Sequence, residues 1–252
     1  MRLYFIALQF LTIIPLPFPL RFEERDLGRS MAFFPLVGVT LGALLVGVDF
    51  ILSPWLPWQV TDLLLITLLS VVTGALHLDG LADVCDGLAA RGGRERFLTV
   101  MKDSRIGAVG VVGLILGLLL KYQALLHIPL ENRHETLLFF PFVARFSQVQ
   151  MTLGAKRARE DGLGSVFIGS AGIWQFISAG FITLTGAWLL LGMRGIYCCI
   201  ALYLFTWGVK GWFQRKLGGI TGDIIGCASE LNEILCLLML LVLFGVKSSI
   251  FE

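Results

Sequence analysis

The chain has 252 residues, 56% apolar and only 15% charged, and its 29 glycines bring apolar residues plus glycine to roughly two-thirds, against about 45–50% in soluble domains. A mean hydropathy of +0.83 with a net charge of +2 excludes a soluble globular, disordered or disulfide-framework protein and argues against a nucleic-acid binder. The composition describes an all-α, polytopic integral membrane protein, expected as one functional domain over 1–252.

The opening MRLYFIALQFLTIIPLPFP is basic and then apolar, like a secretory signal. The following PLPFPLRFEER offers no small-residue cleavage site, so this segment is expected to stay in the mature chain. Its apolar run, 3–14, stops at Pro15, Pro17 and Pro19. That is short of the about 20 residues a crossing helix needs, so 1–30 is expected to contain an interfacial or re-entrant helix. Seven later segments are apolar enough to span: 31–53, 58–76, 107–128, 136–154, 171–192, 195–213 and 230–248. The five cysteines, Cys85, Cys198, Cys199, Cys227 and Cys236, are odd in number and fit no zinc spacing, which reads as reduced packing residues.

With a cytoplasmic N-terminus, the stretches 21–30, 77–106, 155–170 and 210–229 share one face and carry fourteen Lys and Arg. The opposite face holds only Arg133, Arg194 and Lys247. That bias sets the orientation by the positive-inside rule. The acidic residues gather on the same face, whereas a carrier is expected to hold ionisable groups at mid-membrane. An enzyme with a cytoplasm-facing site is the better reading, and a carrier the rival.

The stretch 77–106 is the most informative. In HLDGLADVCDGLAAR, Asp79, Asp83 and Asp86 are spaced four and three apart. On a helix they share a sector of roughly 60° over about 10 Å of rise. Three stacked carboxylates repel, and a hard divalent cation with oxygen ligands is the natural offset. Mg²⁺ shares its shell with substrate phosphates, so one or two carboxylates per ion suffice, and three or four can hold two ions. Gly80 and Gly87 leave room beside the helix backbone. Downstream, MKDSRIG supplies Asp103 as a fourth ligand or base, with Lys102 and Arg105 beside it and Arg91 before it as diphosphate partners.

A second glycine-rich segment, 214–229, contains GGITGDIIG with Thr221 and Asp223, followed by Glu230 and Glu233. It matches neither a P-loop nor a dinucleotide fingerprint. A further turn at Asp161–Ser165 is placed to reach the site, and Arg145, inside an apolar segment, must face protein, phosphate or a carboxylate. His77, His127 and His134 form no nucleophile–base pattern.

The run HLDGLADVCDGL, then MKDSRIGAVG, then GGITGDIIG with Glu230, together with FLTIIPLPFP and MAFFPLVGVTLG near the start, resembles the cobalamin synthase family, the adenosylcobinamide-GDP ribazoletransferases. The resemblance runs in order along nearly the whole chain. It implies a multi-pass enzyme of the bacterial or archaeal inner membrane that needs Mg²⁺. Such an enzyme joins adenosylcobinamide-GDP to α-ribazole or its 5′-phosphate and releases GMP. On that basis Asp79, Asp83, Asp86 and Asp103 are expected as metal ligands, with Asp83, Asp86 or Asp103 serving the chemistry. Arg91, Lys102, Arg105, Thr221, Asp223 and Glu230 are expected toward substrate. Membrane lipid is an expected partner and nucleic acid is not; self-association and association with other corrinoid-pathway enzymes stay open.

The chain also matches the opening of the CDP-alcohol phosphotransferase signature, D-x-x-D-G-x-x-A-R, at Asp83, Asp86, Gly87, Ala90 and Arg91. The remainder fails: with the shorter spacing Asp103 falls on one expected aspartate, but Thr99 stands at the glycine and Gly107 at the last aspartate. A lipid-synthesising phosphotransferase is therefore the weaker enzyme reading, and a divalent-cation or corrinoid transporter the rival of a different class.

Overall fold

The computed structural model describes residues 1–159 and 163–245; Asp161 and Lys247 lie outside them. The described residues are helical and contain no β-strand beyond one isolated bridge. In chain order the helices are α1 (Arg2–Leu11), α2 (Glu24–Ser30), α3 (Phe34–Leu52), α4 (Trp58–Val72), α5 (Leu76–Ala89), α6 (Gly93–Val100), α7 (Ala108–Leu126), α8 (Arg133–Thr152), α9 (Leu163–Ser170), α10 (Ile173–Leu191), α11 (Met193–Leu217) and α12 (Gly222–Phe244). The all-α polytopic expectation holds.

Within the described residues all seven apolar segments are largely helical, but they are not equivalent. Among the described residues, five helical stretches are long and apolar enough to cross a membrane: Glu24–Leu52, α7, α10, α11 and α12. The 58–76 segment is not a span by itself. It ends as the 15-residue α4 and turns through 89° into α5, so the two make at most one broken crossing. The break falls at Gly74 and Ala75, both left-handed (φ 60° and 54°). Within a bilayer such a break needs protein to satisfy its backbone. Here Ile13 N–H donates to the Val72 carbonyl at 2.8 Å, so the proline-rich segment after α1 seals the end of α4. With only ten residues, α1 rises about 15 Å and is too short to span; it buries Ile6, Ala7, Leu8 and Leu11 against its neighbours.

The 136–154 segment is the 20-residue α8, long enough but too polar to pass as an apolar span. It sits among other helices instead of lipid. Gly38 and Gly42 of α3 bring the two backbones together, since a Cβ on them would lie 2.6 Å from Phe142 Cα and 2.7 Å from Leu138 Cα. This is small-residue packing of the GxxxG kind.

Such central placement lets α8 carry buried charge. Arg145, fully buried, donates to Glu233 at 2.6 Å and to Ser229 at 3.2 Å. Lys121 of α7 bonds both Glu230, at 2.6 Å, and Glu233. Two cations and two carboxylates therefore join α7, α8 and α12 in a neutral cluster, the arrangement a low-dielectric interior requires. At the far end, Arg133 pairs with Asp49 (2.8 Å) and Asp62 (2.6 Å). The five cysteines are free thiols.

Two expected surface stretches are largely built into the bundle. Residues 76–89 are α5, which runs antiparallel along α7: a Cβ on Gly117 would touch Leu81, and one on Gly110 would strike Asp86. The glycine-rich 214–229 segment is helical at both ends, and only 218–221 lie between α11 and α12.

Candidate active site

Thr221 caps α12, its hydroxyl accepting from Ile224 N–H at 3.3 Å. This fixes the first turn of α12 and sets Asp223 on it. Gly80 lets α5 cross this turn in backbone contact: a Cβ there would lie 2.5 Å from the Asp223 carbonyl oxygen. The crossing gathers Asp79, Asp83 and Asp223. Asp79, Asp223 and Asp86 act on Asp83 with like charge, and Arg159 with opposite charge. Arg159 pairs with Asp223 at 3.1 Å, both side chains about one-fifth exposed.

Asp86, on the same helical sector, has a different neighbour. Its two oxygens accept from the backbone N–H groups of Gly107 and Gly110, each at 2.7 Å. It thereby satisfies two open donors at the start of α7, as a capping residue does, but from another helix. The face predicted from spacing exists, yet its lower end is spent on α7.

Asp103 is not brought into the group. It lies on the exposed 102–106 turn and takes Arg105 in a two-pronged pair, Nε–Oδ1 3.0 Å and Nη2–Oδ2 2.8 Å, while accepting Arg105 N–H at 3.1 Å. Those hydrogen bonds hold its carboxyl down at about 2. Lys102 sits on the same turn, and Arg91 is exposed just beyond α5. Glu230 follows Asp223 by two helical turns, about 10 Å along the axis, and is committed to Lys121. The 218–221 loop does not cradle an anion with a free backbone, because Ile220 pairs in both directions with the 156–158 segment.

Sequence reasoning missed Arg159, counted only as loop charge, and His77, set aside for lack of a partner. His77 is buried, and its Nε2 lies 3.0 Å from the Gln148 amide nitrogen. Both line a cavity of about 170 Å³ with Asp79, Arg159 and Asp223. Only distance in the chain hid them: Gln148 is on α8, and His77 on the first turn of α5.

Residues 3–241 match the cobalamin-5-phosphate synthase (CobS) family. The chain belongs to that family. It is 68% identical to the adenosylcobinamide-GDP ribazoletransferase of Geotalea daltonii over 97% of this chain and 99% of the relative. Identity is 37% to that of Acetivibrio thermocellus, covering 91% and 93%, and 37% to that of Klebsiella pneumoniae strain 342, covering 94% and 98%. No solved structure matches. Family membership removes the transporter and phospholipid readings, and it sets the α5–α12 crossing against a known class of chemistry.

Among the described residues, no three Asp, Glu, His or Cys side chains are grouped closely enough to hold a metal ion unaided. The donor chemistry still fits Mg²⁺: Asp79, Asp83 and Asp223 are hard oxygen donors, and Arg159 is the cation acting on both Asp83 and Asp223. A diphosphate would supply the remaining oxygens.

Proposed function

We infer that the protein is an adenosylcobinamide-GDP ribazoletransferase acting in assembly of the cobalamin nucleotide loop. The observation that carries the site assignment is the crossing of α5 and α12 at Gly80, which sets Asp79 and Asp83 beside Asp223 and Arg159.

A ribose hydroxyl of α-ribazole or its 5′-phosphate attacks the cobinamide-side phosphorus of adenosylcobinamide-GDP. The bond from that phosphorus to the bridging oxygen breaks, GMP leaves with the bond pair, and the hydroxyl proton passes to a carboxylate of the crossing. One or two of Asp79, Asp83 and Asp223, together with diphosphate oxygens, would hold Mg²⁺, which when bound would neutralise the diphosphate and the departing GMP. Arg159 contributes positive charge at the crossing, and the exposed Arg91 and Lys102 add longer-range attraction for an anionic donor. The excess of Lys and Arg at this end of the bundle supports its facing the cytoplasm.

The test is GMP release by the purified protein in liposomes. Release that needs both the corrinoid and the ribazole, and that stops with EDTA, is the expected result. CMP release from CDP-diacylglycerol and a simple alcohol, without GMP release, would overturn it.

A further inference from the structure

A second cavity, of about 740 Å³, lies at the basic end of the bundle, between the end of α8, the start of α10 and the end of α11. It shares no lining residue with the cavity at Asp79 and Asp223. Among the described residues its lining includes Lys156, Lys210 and Arg215 and no carboxylate. Lys156 and Arg215 are exposed. Lys210 is only 8% exposed, and its ammonium donates to the carbonyls of Leu153 and of Gln150, the latter at 3.1 Å. Carbonyl dipoles at a helix end offset part of a full charge, and a cation taken out of water calls for a counter-ion. Three cations without a carboxylate select an anion.

The surroundings say what kind of anion. From Phe176 and Tyr203, which line this cavity, an apolar trough of about 410 Å³ continues between α10 and α11. It follows α10 from Phe176 to Leu184, about 12 Å of rise, toward mid-membrane. Its lining residues Ile177, Phe181 and Ile200 are 49%, 71% and 50% exposed. Both helices are long and apolar enough to cross a membrane, so these side chains face lipid. Tyr203 lines both parts and Trp207 stands one turn further toward the cations, the depth that amphipathic rings favour. Gly211 keeps the cationic part open, with nothing within 4 Å of where its Cβ would be.

We propose that the cavity and trough bind one anionic phospholipid, with the headgroup phosphate among Lys156, Lys210 and Arg215 and an acyl chain in the trough. A free phosphate or a nucleotide would use the cations and leave the trough empty. A zwitterionic lipid would fill the trough but bring a further cation to three. An amphiphile of net negative charge uses both parts. The proposal does not depend on the ribazoletransferase reading.

The experiment reads quenching of tryptophan emission by phospholipids with brominated acyl chains, added to phosphatidylcholine vesicles that hold the purified protein. The Trp207 signal is the part that Trp207→Phe removes. Brominated phosphatidylglycerol should quench it with a binding constant about tenfold above that of brominated phosphatidylcholine, from the attraction of three cations. Lys156→Gln with Arg215→Gln should bring that ratio down to about twofold. Arg25→Gln with Arg96→Gln, which removes two exposed cations elsewhere at the same end, should leave it unchanged. Gly211→Leu, which fills the cavity while keeping every cation, should abolish the preference, and it decides the matter if the first double variant does not accumulate. Equal quenching by the two lipids in the wild type would mean boundary lipid only and would overturn the proposal. So would an equal loss in both charge variants, an unchanged preference in Gly211→Leu, or displacement of the brominated lipid by adenosylcobinamide-GDP, which would give the cavity to the donor.

Discussion

Gly80 and Asp223 meet backbone to backbone: the carbonyl of Asp223 occupies the place where a side chain on residue 80 would begin, 2.5 Å from its Cβ. The carboxylates of α5 and α12 share one site because this position has no side chain. A methyl group cannot be absorbed there, since the opposing atom is main chain at a capped helix start. Gly80→Ala should force α5 away from α12 at an overpacking cost of about 1–3 kcal/mol. GMP release should fall at least tenfold. Gly47→Ala on α3, where nothing lies within 4 Å, should behave as wild type in the same assay.

The aspartates should separate into two groups when neutralised. Asp83→Asn and Asp79→Asn remove charge from the carboxylate cluster and should lower turnover on the order of 10²–10³-fold, with normal amounts of folded protein in the membrane. Asp103→Asn should cost little at neutral pH, because Asp103 faces solvent and its charge is matched by Arg105. The sign follows from its carboxyl being held at about 2, below the usual carboxylate value. Its pairing is complete above that usual value and is lost only as pH falls through about 2. The acid limb of a pH–rate profile should therefore be the same in wild type and Asp103→Asn. A limb displaced by Asp103→Asn, or full activity in Asp83→Asn, would remove the assignment.

Much of this was readable from residue spacing, and the failures share a physical cause. Asp79, Asp83 and Asp86 lie on one helical sector as their spacing requires, and Arg145 meets a carboxylate as burial demands. Which neighbour each aspartate meets depends on helices far away in the chain. Asp86 points to the N–H groups of α7 and Asp83 to α12, although only three residues separate them. Glu230 looks like part of the Asp223 motif along the chain, but two helical turns carry it to Lys121. Asp103 fits a metal-ligand pattern by spacing and is taken by Arg105 two residues later. Apolar runs located the long helices but not the short α2, α6 and α9, and the bend at Gly74–Ala75 and the central position of α8 depend on packing that hydropathy does not record.

Asp86 offers a stability test distinct from the activity test. Asp86→Ala leaves the Gly107 and Gly110 N–H groups without their acceptor, which should cost about 2 kcal/mol. Asp86→Asn keeps one carbonyl oxygen and should cost about half as much. Thermal unfolding in detergent would show this order, with Asp83→Asn near wild type. Asp86→Asn with full stability and turnover as low as Asp83→Asn would assign Asp86 to the metal instead.

The Lys121 cluster predicts a strong dependence on charge balance. Lys121→Met leaves Glu230 and Glu233 facing one another in the bundle with only Arg145 to offset them, and breaking a buried pair costs about 3–5 kcal/mol. Removing one carboxylate as well, in Lys121→Met with Glu230→Gln, restores a one-to-one balance of Arg145 with Glu233, whose 2.6 Å pair is untouched. The double variant should therefore unfold at a higher temperature than Lys121→Met alone. Because α12 also carries Asp223, the single variant should lose GMP release along with stability, and the double variant should recover both together. Additive destabilisation in the double variant would mean that Lys121 acts through packing and not through charge.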